Sequence, residues 1–173
     1  MGKRVALVAD GRSSDLYASF CAVKLAKRMD ADLYSILLVS KSGESGLQPT
    51  YLDETWSDFS PSVLWQLICG LSSVEGVHVS YHLINRGSEQ ELADFLVLHK
   101  ISCLITGTLN DKDFDRKKHW SAKIVEEVGR HPRWYLGNLT VFLAKPWNDE
   151  SFKKILRQIS AECNLYPIEI ASA

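Results

Sequence analysis

Ile101-Ser102-Cys103-Leu104-Ile105-Thr106 is an apolar run that breaks at Gly107-Thr108-Leu109-Asn110, passes through a charged stretch and ends at Trp120-Ser121. A short run closed by glycine reads as a strand buried on both faces that leaves its sheet through a turn. The frame that follows is G-x2-N-x9-W-S. Glycines in such a frame would let backbone N–H groups reach a phosphate. Two of the three glycine places carry Asn110 and Trp120 instead.

The same pattern recurs on either side. Residues 4–9 form a continuous apolar run ended by Asp10-Gly11, and residues 33–39 a second one ended by Ser40-Lys41-Ser42-Gly43. Between them Ala18, Cys21, Ala22, Leu25, Ala26 and Met29 fall at helical spacing, with Ser13 or Ser14 as candidate N-cap. Strand, helix, strand implies a parallel, right-handed crossover. Residues 41–59 hold no period and read as a long loop. Ser60-Pro61 then opens a helix with the stripe Val63, Leu64, Leu67, Ile68 and Leu71.

Residues 77–84 read as a third strand, and Ser88 to Glu91 as a capping box before Leu92, Phe95, Leu96 and His99. After the fourth strand, Ser121 is expected to begin a short helix carrying Ile124, Val125 and Val128. Residues 138–144 make a fifth strand, and Asp149 caps a last helix with Phe152, Ile155, Leu156 and Ile159 facing inward. Five strands alternating with helices predict an α/β fold with an open, doubly wound, parallel five-stranded sheet. Residues 1–147 would form this domain, and residues 148–173 a C-terminal helix and tail packed on it.

A chain of 173 residues with 46% hydrophobic and 24% charged side chains can bury one substantial core. The formal net charge of -1 gives no global reason to bind nucleic acid or an anionic membrane. The apolar run behind Met1-Gly2-Lys3-Arg4 is too short for a signal peptide or a membrane span, so a cytoplasmic protein is expected. Cys21, Cys69, Cys103 and Cys163 lie far apart and read as buried reduced thiols.

In open α/β sheets ligands bind outside the carboxyl ends of the strands, where strand order reverses. The sequence places Asp10, Val39-Ser40, Asn85-Arg86-Gly87 and Gly107 there. Asp10 would accept hydrogen bonds from a ribose or an amine, or cap the turn into the first helix. Gly107 would supply a positive φ and close backbone approach to an anion. Ser121, leading a helix, would aim its hydroxyl and the positive helix end at the same anion. Either residue equally serves as a plain strand exit or N-cap.

At these residues the chain resembles the universal stress protein family, whose fold is also described as adenine nucleotide α-hydrolase-like. The likeness rests on Val5-Ala6-Leu7-Val8-Ala9-Asp10-Gly11, on Asp32-Leu33-Tyr34-Ser35-Ile36-Leu37-Leu38-Val39 and on residues 79–107 with Gly87 before their helix. It covers roughly residues 3–145. ATP-binding members carry G-x2-G-x9-G-[ST] after the fourth strand, hold phosphates with it, and place the first strand's acid and the second strand's end near ribose and adenine. The resemblance thus implies a crevice formed by Asp10, Val39, Gly107, Asn110 and Ser121, with ATP or another adenine nucleotide as its possible ligand. Asn110 and Trp120 depart from the motif. Asn visits the left-handed backbone region, whereas Trp there costs about 1–2 kcal/mol and its indole would fill space a phosphate needs.

The expectation is therefore a non-catalytic regulatory or binding protein that does not hold ATP in the family's usual pose, with an adenine-nucleotide-binding stress protein as the alternative. The resemblance also implies a homodimer paired through the fifth strand, while Trp134 and Trp147 serve either that pairing or the domain's own core. A second alternative is a receiver-like signalling domain, with Asp10, Thr106 and Lys145-Pro146 in its site, but Leu83-Ile84-Asn85 offers no carboxylate to phosphorylate. Enzymatic motifs with glycine-rich phosphate loops or a nucleophile elbow do not occur. His78 and His82 share a strand face without the further ligands zinc needs, and His99 and His131 have no evident carboxylate partner.

Overall fold

A computed structural model describes residues 2–11, 14–39, 61–108, 110–134, 137 and 139–145. Five strands and four helices alternate along it: β1 (Lys3–Ala9), α1 (Ser14–Met29), β2 (Ala31–Val39), α2 (Pro61–Glu75), β3 (Val79–Asn85), α3 (Glu89–Leu98), β4 (Cys103–Gly107), α4 (Asp111–Arg130) and β5 (Thr140–Ala144). All four strand pairings are parallel and the order is β3-β2-β1-β4-β5. The chain builds outward from β1 on one side and then crosses to β4 on the other, so strand order reverses between β1 and β4. The doubly wound parallel sheet read from the sequence is the one observed.

Alternation of side chains along the strands divides the core in two. Val5, Leu7 and Ala9 of β1 face a layer built with Ala18, Ala22 and Ala26 of α1 and Leu64, Leu67, Ile68 and Leu71 of α2. Ala6 and Val8 face the opposite layer, where Leu92 and Leu96 of α3 and Ile124 and Val128 of α4 meet Ile36 and Leu104. The central strand is wholly buried from Val5 to Ala9, which explains why it reads as an unbroken apolar run.

Ser88 caps α3, its hydroxyl accepting from the Glu91 N–H at 3.2 Å. The Glu91 carboxylate does not reach back to the cap; it accepts from Asn85 Nδ2 at 3.3 Å, tying the helix to the end of β3. Ser14 is the first residue of α1, and Ser13, the other candidate cap, lies outside the described residues. The turn ahead of the helix is held by Asp15, whose Oδ2 accepts from the N–H groups of Asp10 and Gly11 at 3.1 and 2.7 Å. Gly11 stands at φ 86°, a conformation that favours glycine.

Two further expectations need correction. Cys69 is exposed, while Cys21 and Cys103 are half-buried. His131 has a carboxylate neighbour, Asp94 Oδ1 at 3.3 Å. The loop over residues 41–59, Trp147, Cys163 and the C-terminal helix and tail lie outside the described residues.

Candidate functional site

The crevice at the strand-order reversal is bounded by the carboxyl ends of β1 and β4 and roofed by the start of α4. Residue parity decides what faces where. Asp10 and Thr106 continue the side of β1 and β4 that faces α3 and α4, and both are buried. Gly107 points the other way, toward α1.

Helix α4 begins much earlier than Ser121. Asn110 is its N-cap, at φ −154° and not in the left-handed region, and its side chain accepts from the Asp113 N–H at 2.9 Å. Asp111 and Asp113 lie in the first turn, where acids favour the positive helix end. The charged stretch ahead of Ser121 is therefore helix from Asp111 onward, and Trp120 and Ser121 sit in its middle. Trp120 takes no left-handed strain; it is half-buried against the α3–α4 layer. Ser121 does not lead a helix, and its hydroxyl donates to the Lys117 carbonyl one turn back at 2.7 Å.

The buried residues of α4 are Asp113, Lys117, Ser121, Ile124 and Val128, spaced by three or four on one stripe. This stripe is polar where the helix crosses the crevice and apolar where it covers the sheet. From its polar half Lys117 reaches down between the strand ends, its Nζ 3.3 Å from Asp10 Oδ2 and 3.2 Å from Thr106 Oγ1. The two charged side chains are each 9% exposed. The same ammonium lies 5.6 Å from the centroid of the Trp120 ring, close enough for a cation–π contact. Arg86, leaving β3, adds a second cation to the rim: its Nη2 donates to the Asp10 carbonyl at 2.7 Å, and its backbone N–H donates to the Val39 carbonyl at 2.6 Å.

The expected crevice residues are thus only partly brought together. Asp10 lies at its centre. Val39 ends β2 but turns its side chain toward the α1–α2 layer. Gly107 has no positive φ, and its lack of a side chain admits the start of α1: a Cβ there would stand 2.4 Å from the Ser14 carbonyl oxygen. Asn110 and Ser121 complete helix α4. Lys117 is the residue that sequence reasoning missed. Its position in register with Asp113, Ser121 and Ile124 was the available signal, masked by its charge. Lys145 does not join the site either; it pairs with Asp111 on the surface, and that hydrogen bond holds the Asp111 carboxyl below its ordinary range.

A buried ion pair costs several kcal/mol of desolvation per charge, which its mutual attraction and hydrogen bonds only approximately offset. The space between Asp10 and Thr106 is lined by side-chain oxygens and is filled by the Lys117 ammonium. Among the described residues no group of three or more His, Cys, Asp or Glu is placed to hold a metal ion. Among them also, no helix is long and apolar enough to cross a membrane.

No protein-family model matches the sequence, and no curated protein matches it. Solved structures do. A universal stress protein in complex with cAMP aligns with a TM-score of 0.50 at 13% identity, over 82% of this chain and 95% of that one. One from Archaeoglobus fulgidus aligns with a TM-score of 0.54 at 15% identity, over 86% of this chain and 45% of that one. A conserved protein from Thermus thermophilus gives 0.53 at 13% identity, over 96% and 79%. The class defined is an α/β protein with an open, all-parallel five-stranded sheet. Its particular fold is that of the universal stress proteins, as the sequence resemblance implied.

Proposed function

We propose that this chain is a non-catalytic regulatory or binding protein on the universal stress protein fold, one that does not hold ATP in that family's usual pose. The observation that carries this reading is Lys117 between Asp10 and Thr106, delivered by a helix that starts at Asp111. Where ATP-binding members would place a glycine loop around phosphates, this chain runs a charged helix. Isothermal titration of the full chain with ATP, ADP and AMP tests the reading. No saturable binding in the micromolar range is expected; micromolar ATP binding would overturn it.

A second reading keeps an adenine nucleotide in an altered pose. Arg86 and Lys117 both converge on Asp10 at the reversal point, so an anion displacing the Lys117–Asp10 contact would meet two cations. Under this reading AMP or cAMP binds and Lys117→Met abolishes the binding. The cytoplasm is the proposed compartment and a homodimer through β5 the proposed assembly. β5 lies at the sheet edge, and Phe142 on it is 44% exposed. Light scattering tests the dimer, which a strict monomer at high concentration excludes.

A further inference from the structure

His82 and His99 belong to different elements and meet on the face of the sheet that α3 and α4 cover. His82 lies on β3, at one end of the strand order, and His99 is the C-cap of α3. Their ring centroids stand 5.7 Å apart, with the ring planes at 45°. Tyr34 of β2 and Phe95 of α3 wall the pair, 5.1 and 4.2 Å from His99 and 5.7 and 4.8 Å from His82, and all four rings are half-buried. Helix α3 leaves the carboxyl end of β3 and stops before the amino end of β4, which brings His99 to the amino ends of the strands. There its carbonyl accepts from Arg4 Nη1 at 2.7 Å. His82 is turned the same way, because its Nε2 lies 3.1 Å from Ser80 Oγ, two residues nearer the amino end of β3.

We propose that His82 and His99 together bind one divalent transition-metal ion of the zinc, nickel or copper class, with water completing its coordination. The sequence offered His82 no neighbouring ligand, and the fold supplies one in His99. The spacing suits a shared ion: metal–nitrogen bonds of about 2.0–2.1 Å at a tetrahedral centre set two imidazole ring centres about 5–6 Å apart. Imidazole nitrogen selects these ions over magnesium and calcium, which take oxygen ligands. Burial holds both imidazoles below their ordinary value, helped at His99 by His82 and Arg4, so at pH 7 both are neutral and offer a lone pair. An ion at His82 Nε2 would take the place of the Ser80 hydroxyl, which is then placed to hydrogen-bond to one of the ion's waters.

Two protein ligands make an open, exchangeable site and not a closed structural one. Among the charged groups around it, Arg4 opposes the ion's charge, although its guanidinium is turned to the His99 carbonyl. Asp32, two residues before Tyr34 on the same face of β2 and 3.7 Å from His78, favours it. The bound ion would fasten β3 to the end of α3 toward the amino ends of the strands, away from the crevice at their carboxyl ends. Its stabilising effect would be lost as pH falls, since protons compete for the same nitrogens.

Nickel(II) added to the unaltered full chain tests the proposal through paramagnetic broadening of the ring-proton resonances of its five histidines. Those of His82 and His99 are expected to broaden together, ahead of those of His78, His119 and His131. Another histidine leading, all five broadening alike, or no saturable effect overturns the proposal. Calorimetric titration with nickel(II) is an independent readout. His82→Phe and His99→Phe should each weaken binding at least about tenfold, because one imidazole alone loses the gain of a second ligand already in place. His78→Phe should leave binding unchanged. Unchanged affinity in either folded variant, or loss of binding on Cys69→Ser instead, would overturn the shared site; if a variant does not fold, the order of broadening in the unaltered chain decides.

Discussion

Lys117 Nζ lies 3.3 Å from Asp10 Oδ2 across 107 residues of chain, and both side chains are almost fully removed from water. Lys117→Met removes the ammonium and leaves the carboxylate buried. Breaking a buried pair from one side costs about 3–5 kcal/mol. Urea unfolding at pH 7 should show that loss, and the double variant Asp10→Asn with Lys117→Met should recover at least about 1 kcal/mol of it. Additive losses would mean that the two residues act separately.

Gly107→Ala should destabilise the fold whether or not any ligand binds. Its Cβ would meet the Ser14 carbonyl oxygen at 2.4 Å and carbon at 2.7 Å. Backbone at the start of α1 must then move away from β4. Overpacking of this kind costs about 1–3 kcal/mol. The melting temperature should fall, and adding Ser14→Ala should not restore it, because the obstacle is main chain. Restoration by Ser14→Ala would show that the side chain was the obstacle.

Stability should decrease as pH drops from 7.5 to 5.5. His82 and His99 are packed with Tyr34 and Phe95, with ring centroids 5.7 Å apart between the two histidines. Burial pulls both below the ordinary imidazole value, and for His99 the neighbouring His82 and Arg4 add to the effect. In this window the unfolded chain therefore takes up protons that the folded chain refuses, and unfolding gains free energy as pH falls. The lowered carboxyls, Glu75 and Asp111, titrate below this range and act later. Thermal melts at several pH values check the slope, which His82→Phe should flatten. An unchanged slope in that variant would place the effect elsewhere.

Strand positions were legible because β1, β2 and β4 are covered on both faces and must be continuously apolar, as Val5 to Ala9 illustrates. Capping chemistry was legible at Ser88 because its hydroxyl accepts from an N–H only three residues on, that of Glu91. The start of α4 was not, because the family's glycine frame invited a loop between Gly107 and Ser121. Asn110 and Asp113 carried the contrary signal of an N-cap, and the spacing of Phe114, Lys117, Ser121 and Ile124 that of a helix face. Lys117 was hidden by residue type, since a lysine within a charged run is ordinarily solvated. Its burial depends on Asp10 and Thr106, which only the strand-order reversal brings beneath it.

Restoring the glycines tests whether motif or helix controls the crevice. Asn110→Gly with Trp120→Gly recreates G-x2-G-x9-G-S at the sequence level. A glycine at the N-cap costs only a few tenths of a kcal/mol, and one within the helix about 1 kcal/mol, besides the lost packing of the indole against the α3–α4 layer. Residues 111–119 should remain helical, because the Asp113–Arg116 and Lys117–Asp10 contacts that hold them are untouched. The double variant should melt earlier, keep its helical circular dichroism and fail to bind ATP in titration. Micromolar ATP binding gained by the variant over the unaltered protein would show that Asn110 and Trp120, not the Lys117–Asp10 pair, exclude the nucleotide.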